Sequence, residues 1–369
     1  MKKASLILLC LTIGLGTLSL VGCGGDSTEG DKNKSAKGKS TGSDTKPIKI
    51  VAFDEHDETL QAIIDGEMHG TVVQNPYMYG YKSVEVLKDL GAGMDVKGDD
   101  GGDFVDFPAR KIKLAEAAKF WKEKNEQLKA GEGDAEYKEG RPTVAYITNG
   151  IDPFWTIAAA GAKKAAKDLD MNVLLRFPPK GAADQKSMIE ALMVKDEVTG
   201  LAVSPSDPKN QADLLNNIGA KKNYITHDAD APETNRKLYI GMNNYDAGRM
   251  AGELVKEALP EGGKVMIFVG RLGQLNAEQR RQGLIDELLD RSKDPTRRDE
   301  PGKEIKGDKY TIVGTLTDNF DKAKAKQNAQ DAISKHPDLG CMVGLFAYNP
   351  PLCLQAIEAA GREVKPSSK

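Results

Sequence analysis

The stretch RPTVAYITNGIDPFW, residues 141–155, predicts a buried strand that runs directly into a helix. Its first part, TVAYIT (143–148), is a short apolar run, which is typical of a strand covered on both faces. The residues after Asp152 place apolar side chains at helical spacing, from Phe154 through Leu169. A buried strand followed by an amphipathic helix is the repeating unit of parallel α/β sheets.

This strand–helix unit recurs in both directions along the chain. Downstream come NVLLRF, GLAVSP, YIT, KLYIG, KVMIFVG, YTIVGTLT and CMVGLF, most of them followed by a helical pattern. The last helix, PLCLQAIEAAG (351–361), is followed only by REVKPSSK, where a further strand is expected. Near the start, IKIVAF (48–53), a helix across 57–66 and GTVV (70–73) supply one more unit of this kind. We therefore predict two doubly wound parallel-sheet lobes.

The composition is that of an ordinary two-lobed protein. The chain has 369 residues, 39% of them apolar, and a formal net charge of −3, so we expect no nucleic-acid partner. It contains no G-x-S-x-G motif, no Walker loop and no pair of histidines at metal-ligating spacing. We therefore expect no enzymatic activity, no cofactor and no metal site.

The first 46 residues have the features of an export and anchoring segment. Residues 1–23 combine Lys2 and Lys3 with an apolar run and then Leu-Val-Gly-Cys, which predicts a signal peptide. Those last four residues resemble the lipobox of bacterial lipoproteins, in which Cys23 would be lipidated. Residues 24–46 are rich in Gly, Ser, Lys and Asp, so we expect a flexible tether.

From residue 141 onward the sequence resembles periplasmic sugar-binding proteins of the ribose-binding type. The resemblance rests on RPTVAYITNGIDPFW, YITHDADAP, FVGRLGQLNAEQRRQG, TDNFDKAKA and GLFAYNPP, which follow in the family's order. The family's final third resembles IVAFDEHDETLQAIIDGEMHGTVVQNPYMYGYKSVEVL, which stands here at the front. We interpret the chain as a circular permutation of that type I periplasmic binding protein fold, since a fold whose termini can be joined tolerates a new break at a surface loop.

The resemblance implies two lobes joined by a three-crossing hinge, with crossings near Gln74 to Pro76, near Phe104 to Phe107 and near Met242 to Asn244. The first lobe would consist mainly of 141–242 with 76–103, and the second lobe of 243–369 with 47–75. Residues 104–130 would form a hinge crossing and a terminal helix, and 131–140 a linker joining the old termini.

The candidate ligand-binding residues are aromatic rings that stack on a sugar and polar groups that bind its hydroxyls. Most of the polar ones follow predicted strands, where parallel sheets place ligand crevices. The family resemblance implies ten ligand-binding residues, both polar and aromatic: Asp54, Gln74, Thr148, Asp152, Phe154, Trp155, Asp228, Arg280, Phe320 and Asn349.

Several of these residues have simpler interpretations. Asp152 and Asp228 are also suited to cap a helix or a turn. Phe154 and Phe320 are also suited to a hydrophobic core, and Arg280 to a solvated helix face. Trp155 beside Phe154 is hard to bury on the same helix face, which favours a cleft-facing indole.

The sequence departs from the ribose-binding pattern at one position. The family has an Asp-Arg pair after the fourth strand of the first lobe, where this chain has Asp228-Ala229. Asp230 or His227 could face the ligand instead. We therefore do not assign ribose as the sugar.

The resemblance implies a membrane-anchored, extracytoplasmic monomer that captures a sugar and delivers it to an ABC-type permease. A sugar-sensing receptor subunit for a membrane kinase or chemoreceptor is an alternative. A non-functional product of a rearranged gene is another.

Overall fold

The computed structural model describes residues 47–133 and 136–364. The predicted signal peptide, the tether and the candidate lipidation site Cys23 lie outside these residues. None of the helices in the described part of the chain is long and apolar enough to cross a membrane.

Strands and helices alternate along most of the described chain. The N-terminal part contains β1 (Lys49–Phe53), α1 (Asp57–Ile64), β2 (Gly70–Val73), α2 (Pro76–Gly91), β3 (Phe104–Asp106), β4 (Arg110–Ile112) and α3 (Leu114–Ala130). The middle contains β5 (Thr143–Ile147), α4 (Pro153–Asp168), β6 (Asn172–Arg176), α5 (Ala182–Met193), β7 (Val198–Val203), α6 (Ala212–Lys221), β8 (Asn223–His227) and β9 (Tyr239–Gly241). The last part contains α7 (Asn244–Ala258), β10 (Gly263–Val269), α8 (Leu275–Leu288), β11 (Ile305–Lys306), β12 (Tyr310–Thr317), α9 (Lys322–Lys335), β13 (Leu339–Gly344) and α10 (Asn349–Ala359).

The strands form two sheets, which confirms the predicted fold class of two parallel-sheet lobes. The six-stranded sheet has the order β3-β9-β8-β7-β5-β6, and all its neighbouring strands are parallel. The seven-stranded sheet has the order β11-β12-β10-β13-β1-β2-β4, in which only the edge strands β11 and β4 are antiparallel. We refer to the six-stranded lobe and the seven-stranded lobe below.

Strand β1 lies in the interior of the seven-stranded sheet. It pairs in parallel with β13 through Ile50 and Met342, and with β2 through Ala52 and Thr71. The strand expected after the last helix is therefore supplied by the N-terminal part of the chain. The first and last described segments also meet, since the Ile48 amide donates to the Glu363 carbonyl at 3.3 Å.

Apolar side chains cover both faces of each sheet, which explains the continuous apolar runs in the sequence. In β5, Val144 and Tyr146 belong to one buried cluster, and Ala145 and Ile147 belong to the cluster on the opposite face. Strand β1 divides its side chains between two clusters in the same way. Alternate residues of a strand point to opposite faces, so strands buried between two helical layers must be apolar throughout.

Among the described residues the chain passes between the two sheets four times. Two passages lie between β2 and α2, and between β9 and α7. The sequence predicts another near Phe104 to Phe107, but residues 104–106 form β3 of the six-stranded sheet, and the passage itself spans 107–109. The fourth runs from β4 through α3 to β5, because β4 and β5 belong to different sheets.

Helix α3 contacts both lobes. Ala117 and Phe120 pack in the core of the seven-stranded lobe. The Lys124 ammonium, 6% exposed, donates to the Glu55 carbonyl at 3.0 Å and to the Asp57 carboxylate. After the last turn, Gly131 lies so close to α4 that a Cβ atom there would be 2.3 Å from the Cα of Ala160.

Helix α2 docks on α4 of the six-stranded lobe through two glycines. A Cβ atom on Gly80 would lie 1.8 Å from the carbonyl oxygen of Ala158, and one on Gly161 would lie 1.8 Å from that of Tyr77. Real Cβ atoms do not approach carbonyl oxygens so closely, so both positions require glycine. The N-terminal part of the chain thus contributes a tightly packed helix to this lobe as well as strands to the other.

Candidate functional site

A cleft of about 560 Å³ lies between the lobes, next to the carboxyl ends of their central strands. Asp54 follows β1 and Gln74 follows β2 in one lobe, and Asp228 follows β8 in the other. Parallel sheets leave their ligand crevices at this edge, because the loops after the strands diverge to neighbouring helices. The order of the elements therefore brings side chains from distant parts of the sequence together.

The structure brings eight of the ten candidate residues to this cleft. The eight are Asp54, Gln74, Asp152, Phe154, Trp155, Asp228, Arg280 and Phe320.

The structure does not place the other two side chains, Thr148 and Asn349, along the cleft. The Thr148 hydroxyl is fully buried and donates to the Gly150 carbonyl at 2.7 Å, which closes the turn after β5. The Asn349 amide, 1% exposed, donates to the Asp318 carboxylate at 2.9 Å. Thr148 directly follows β5 and bonds within its own loop, whereas Asn349 is the first residue of α10 and bonds to the loop after β12.

Asp54 is held by a chain of hydrogen bonds on the floor of the cleft. The Gln74 amide donates to its carboxylate at 2.6 Å, and the Tyr79 hydroxyl donates to the Gln74 side-chain oxygen at 3.3 Å. Burial raises the pKa of Asp54, while the Arg280 guanidinium and the Gln74 bond act in the opposite direction. The carboxylate is therefore fixed in place before any ligand arrives.

Asp228 faces the cleft from the other lobe with fewer donors. The Ser204 hydroxyl donates to its carboxylate at 3.3 Å, and the Asn149 amide donates to the Ser204 hydroxyl at 3.0 Å. Burial raises the pKa of Asp228 to about 7, although the Arg280 guanidinium opposes the shift. A carboxylate with few internal donors retains the capacity to accept hydrogen bonds from a ligand.

Arg280 supplies a buried guanidinium at the cleft. Its Cζ atom lies 4.4 Å from the centre of the Phe53 ring, and its Nε donates to the Asn244 side-chain oxygen at 2.9 Å. Nη1 donates to the Leu345 carbonyl at 3.4 Å, whereas the buried Nη2 has no hydrogen-bond partner among the described residues. Buried donors in folded proteins are nearly always bonded, so this unpaired donor at a cleft indicates a missing polar partner.

Strained backbone marks the cleft. Asp54, Asp228, Asn319 and Phe320 have positive φ angles of 65°, 58°, 56° and 66°, and all four line the cleft. Such conformations are costly for residues other than glycine and persist where the surrounding structure holds them. They point each side chain in a direction that ordinary strand geometry would not give.

The aromatic side chains lie at two sides of the cleft. Phe154 and Trp155 pack edge to face with ring centres 4.9 Å apart. Trp155 borders the cleft but is only 4% exposed, so the exposure favoured by the sequence is not observed. Its indole also packs edge to face against His227. Phe320 is 39% exposed and lies under the Arg271 guanidinium, 5.5 Å from its ring centre.

His227 and Asp230 were the two residues expected to face the ligand in place of the family's arginine, but neither side chain lines the main cleft. His227 is fully buried, stacks on Tyr146 at 4.0 Å and bonds to its hydroxyl. The Asp230 carboxylate is paired with the Arg236 guanidinium at 2.5 Å. Both side chains therefore have partners inside the six-stranded lobe.

The cleft also contains polar residues that the sequence analysis missed. They are Asn149, Lys180, Arg271, Asn276, Asn319, Lys322 and Tyr348. A stricter use of the strand-end rule would have found Asn149, which directly precedes Gly150 in the turn after β5, and Arg271, which stands two residues after β10. Asn276 lies inside α8, where that rule gives no signal.

Comparisons with known proteins agree with this architecture. The family profile described as "Periplasmic binding protein domain" matches residues 34–95 and 143–367. Ribose import binding protein RbsB of Salmonella typhimurium is 23% identical over 223 residues, which are 59% of this chain and 68% of that protein. D-ribose/D-allose-binding protein of Pseudomonas aeruginosa is 25% identical over 236 residues, or 60% of this chain and 68% of that protein.

A solved structure is similar as well. The ABC transporter solute-binding protein of Burkholderia graminis, in complex with D-arabinose, superposes with a TM-score of 0.53 at 25% identity. The superposition covers 60% of this chain and 72% of that one.

Proposed function

The chain belongs to the periplasmic binding protein domain family, and on this premise we propose that it binds a monosaccharide between its lobes. The bound sugar is delivered to an ABC-type permease, and the protein performs no chemical step on it. The family implies an extracytoplasmic location, and lipidation of Cys23 would anchor the chain at a membrane.

The observation that carries this proposal is the set of polar groups around Arg280. Its Nη2 donor is unpaired among the described residues, and Asp54 and Asp228 face the same cleft from opposite lobes. A sugar hydroxyl donates one hydrogen bond and accepts others, so it can satisfy an arginine and a carboxylate together. Closure of the lobes excludes water and strengthens these bonds.

The aromatic rings supply the second requirement of a sugar site. Phe154 and Phe320 both border the cleft, and they come from different lobes. Sugars expose C–H groups on their faces, which pack against aromatic rings. Two relatives are named for ribose and allose, and the similar solved structure contains D-arabinose, which supports a pentose or hexose as the ligand.

We also propose that the chain order is a circular permutation of the family fold. Three observations support this: β1 lies between β13 and β2, the Ile48 amide bonds to the Glu363 carbonyl, and about 60% of the chain matches 68–72% of its relatives. A variant that begins at residue 136 and joins residue 364 to residue 47 should then fold. Loss of cooperative unfolding in that variant would argue against the proposal.

A thermal unfolding scan with pentoses, hexoses and polyols at millimolar concentration tests the binding function. A ligand at about 100 times its dissociation constant stabilises the folded state by about 2.7 kcal/mol, so its sugar should raise the unfolding temperature. The L-enantiomer of that sugar is the matched control and should have little effect. A cooperative transition that no sugar raises would contradict the proposal.

A further inference from the structure

A buried hydrogen bond joins the two lobes away from the proposed sugar contacts. The Gln274 amide in the seven-stranded lobe donates to the Ser206 carbonyl in the six-stranded lobe at 3.2 Å. Gln274 is 2% exposed and Ser206 is 5% exposed. Neither residue lines the main cleft, so the bond is available to the protein with or without a ligand.

The acceptor side of this bond is rigidly held. Gln185, fully buried, accepts from the Ser206 amide at 3.0 Å and donates to the carbonyls of Thr148 and Ser204, each at 2.7 Å. The Gln211 amide donates to the same Gln185 oxygen at 3.0 Å. The loop after β7 is therefore fixed to the ends of β5 and β7, and the Ser206 carbonyl has a defined direction.

The donor side is coupled to the cleft. Gln274 immediately precedes α8, and its carbonyl accepts from the Glu278 amide at 3.1 Å in the first turn. The same helix carries Asn276 and Arg280, both of which line the cleft. A bond that holds the start of α8 against the opposite lobe thus holds these two residues at the ligand as well.

We propose that Gln274 is a latch residue that favours the closed arrangement of the lobes and thereby sets the affinity for the ligand. Opening the lobes separates the loop after β7 from the start of α8 and breaks the bond. The apparent dissociation constant is the intrinsic constant divided by the fraction of binding-competent protein, so a less populated closed state weakens binding. The affinity part of this inference rests on the proposed sugar binding, whereas the effect on lobe opening does not.

The principal variant is Gln274→Met, which keeps the length of the side chain and removes the donor. Gln274→Glu is the second variant, because its carboxylate would face the Ser206 carbonyl. Ser206→Ala is the matched control: the latch uses the backbone carbonyl, and the Ser206 hydroxyl has no partner among the described residues. The control should therefore leave the latch intact.

The first measurement is the distance between spin labels on the two lobes in ligand-free protein. Lys186→Cys on α5 and Lys324→Cys on α9 are exposed labelling positions, whereas Cys341 and Cys353 are buried. We expect the distance between the two labels to be longer in Gln274→Met and Gln274→Glu than in the parent protein. Ser206→Ala should have the same distance as the parent. A purely structural role at the start of α8 would lower the unfolding temperature without changing the distances.

The second measurement is the affinity for the sugar identified by the thermal scan. A neutral hydrogen bond contributes modestly, so Gln274→Met should raise the dissociation constant about two- to tenfold, mainly through faster release. Unchanged distances and unchanged affinity in Gln274→Met would overturn the latch. If no sugar binds the parent protein, the proposed function fails, and longer distances in the variant would still support the latch.

Discussion

Asp54 and Asp228 end parallel strands in opposite lobes, and they share several properties. Both have positive φ angles, 65° and 58°, and both are nearly buried, at 4% and 6% exposure. Arg280 opposes the burial-induced rise in pKa at both. The two lobes thus present the same type of group, in the same backbone conformation, to one guanidinium.

The two aspartates differ in their hydrogen-bond donors. The Asp54 carboxylate accepts from the Gln74 amide at 2.6 Å, whereas the Asp228 carboxylate accepts from the Ser204 hydroxyl at 3.3 Å. Burial without close donors raises the pKa of Asp228 to about 7. One lobe therefore holds a carboxylate with a close internal donor, and the other holds a carboxylate whose internal donor is more distant.

Removal of the Arg280 guanidinium, which lowers the pKa of both aspartates, should have the largest effect on sugar affinity. The unpaired Nη2 donor is available to a ligand, and a hydrogen bond to a charged group contributes about 1.5–3 kcal/mol, so Arg280→Met should weaken sugar binding by roughly 10- to 100-fold in titration calorimetry. Arg281→Met is the control, because this neighbouring arginine is buried against Thr315 and Asp299 and does not line the cleft. Equal losses of affinity in the two variants would contradict the assigned role of Arg280.

Loss of the Gln74 donor should make Asp54 resemble Asp228 in its lack of close hydrogen-bond donors. Gln74→Leu leaves the buried Asp54 carboxylate without its 2.6 Å bond, so the pKa of Asp54 should rise further. An unsatisfied buried acceptor costs about 1–3 kcal/mol, and we expect the free energy of unfolding to fall by an amount in this range. NMR titration of the Asp54 carboxyl carbon and calorimetry measure the two effects. An unchanged pKa would show that Gln74 does not distinguish the two sites.

The pH dependence of the folding stability should reveal the raised pKa of Asp228. The Asp228 carboxyl has a pKa of about 7 in the folded protein and 3.8 without the protein environment. Between pH 3.8 and about 7 it is therefore protonated in the folded state and ionised in the unfolded state. This group therefore stabilises the ligand-free fold in acid, and the contribution is lost as the pH rises toward 7, by at most about 1.4 kcal/mol per pH unit.

Denaturant unfolding at a series of pH values between about 4 and 7 checks this prediction. Asp228→Asn cannot titrate at this position, so its stability relative to the parent should increase steadily across that range. Parallel stability curves for the parent and Asp228→Asn would show that Asp228 titrates normally.

The fold and the cleft floor were predictable from sequence because both depend on where apolar runs end. Asp54, Gln74 and Asp228 directly follow such runs, so the parallel topology brings them to one edge. The sequence did not predict whether the Thr148 and Asn349 side chains point into the cleft or away from it. Thr148 bonds to Gly150 and Asn349 to Asp318, and only the packed loops reveal these partners.

Other features depend on contacts between segments that are distant in the sequence. Asp230 is unavailable to a ligand because the Arg236 guanidinium binds it. The amphipathic pattern of α3 predicts a helix but does not indicate that Lys124 binds one lobe while Gly131 packs on the other. Gln274 carries no local signal, because its acceptor lies 68 residues away in the opposite lobe.

We propose that the N-terminal part of the chain forms one wall of the sugar site, and the affinity of Asp54→Asn shows whether it does. Asparagine tolerates the positive φ angle and keeps the volume, so the change removes mainly the charge. Hydrogen bonds to charged groups contribute about 1.5–3 kcal/mol, and we predict at least a roughly tenfold loss of affinity with cooperative unfolding retained. Asp65→Asn, an exposed change at the end of α1, should bind like the parent. Parent-like affinity in Asp54→Asn would show that the N-terminal part of the chain does not form this wall.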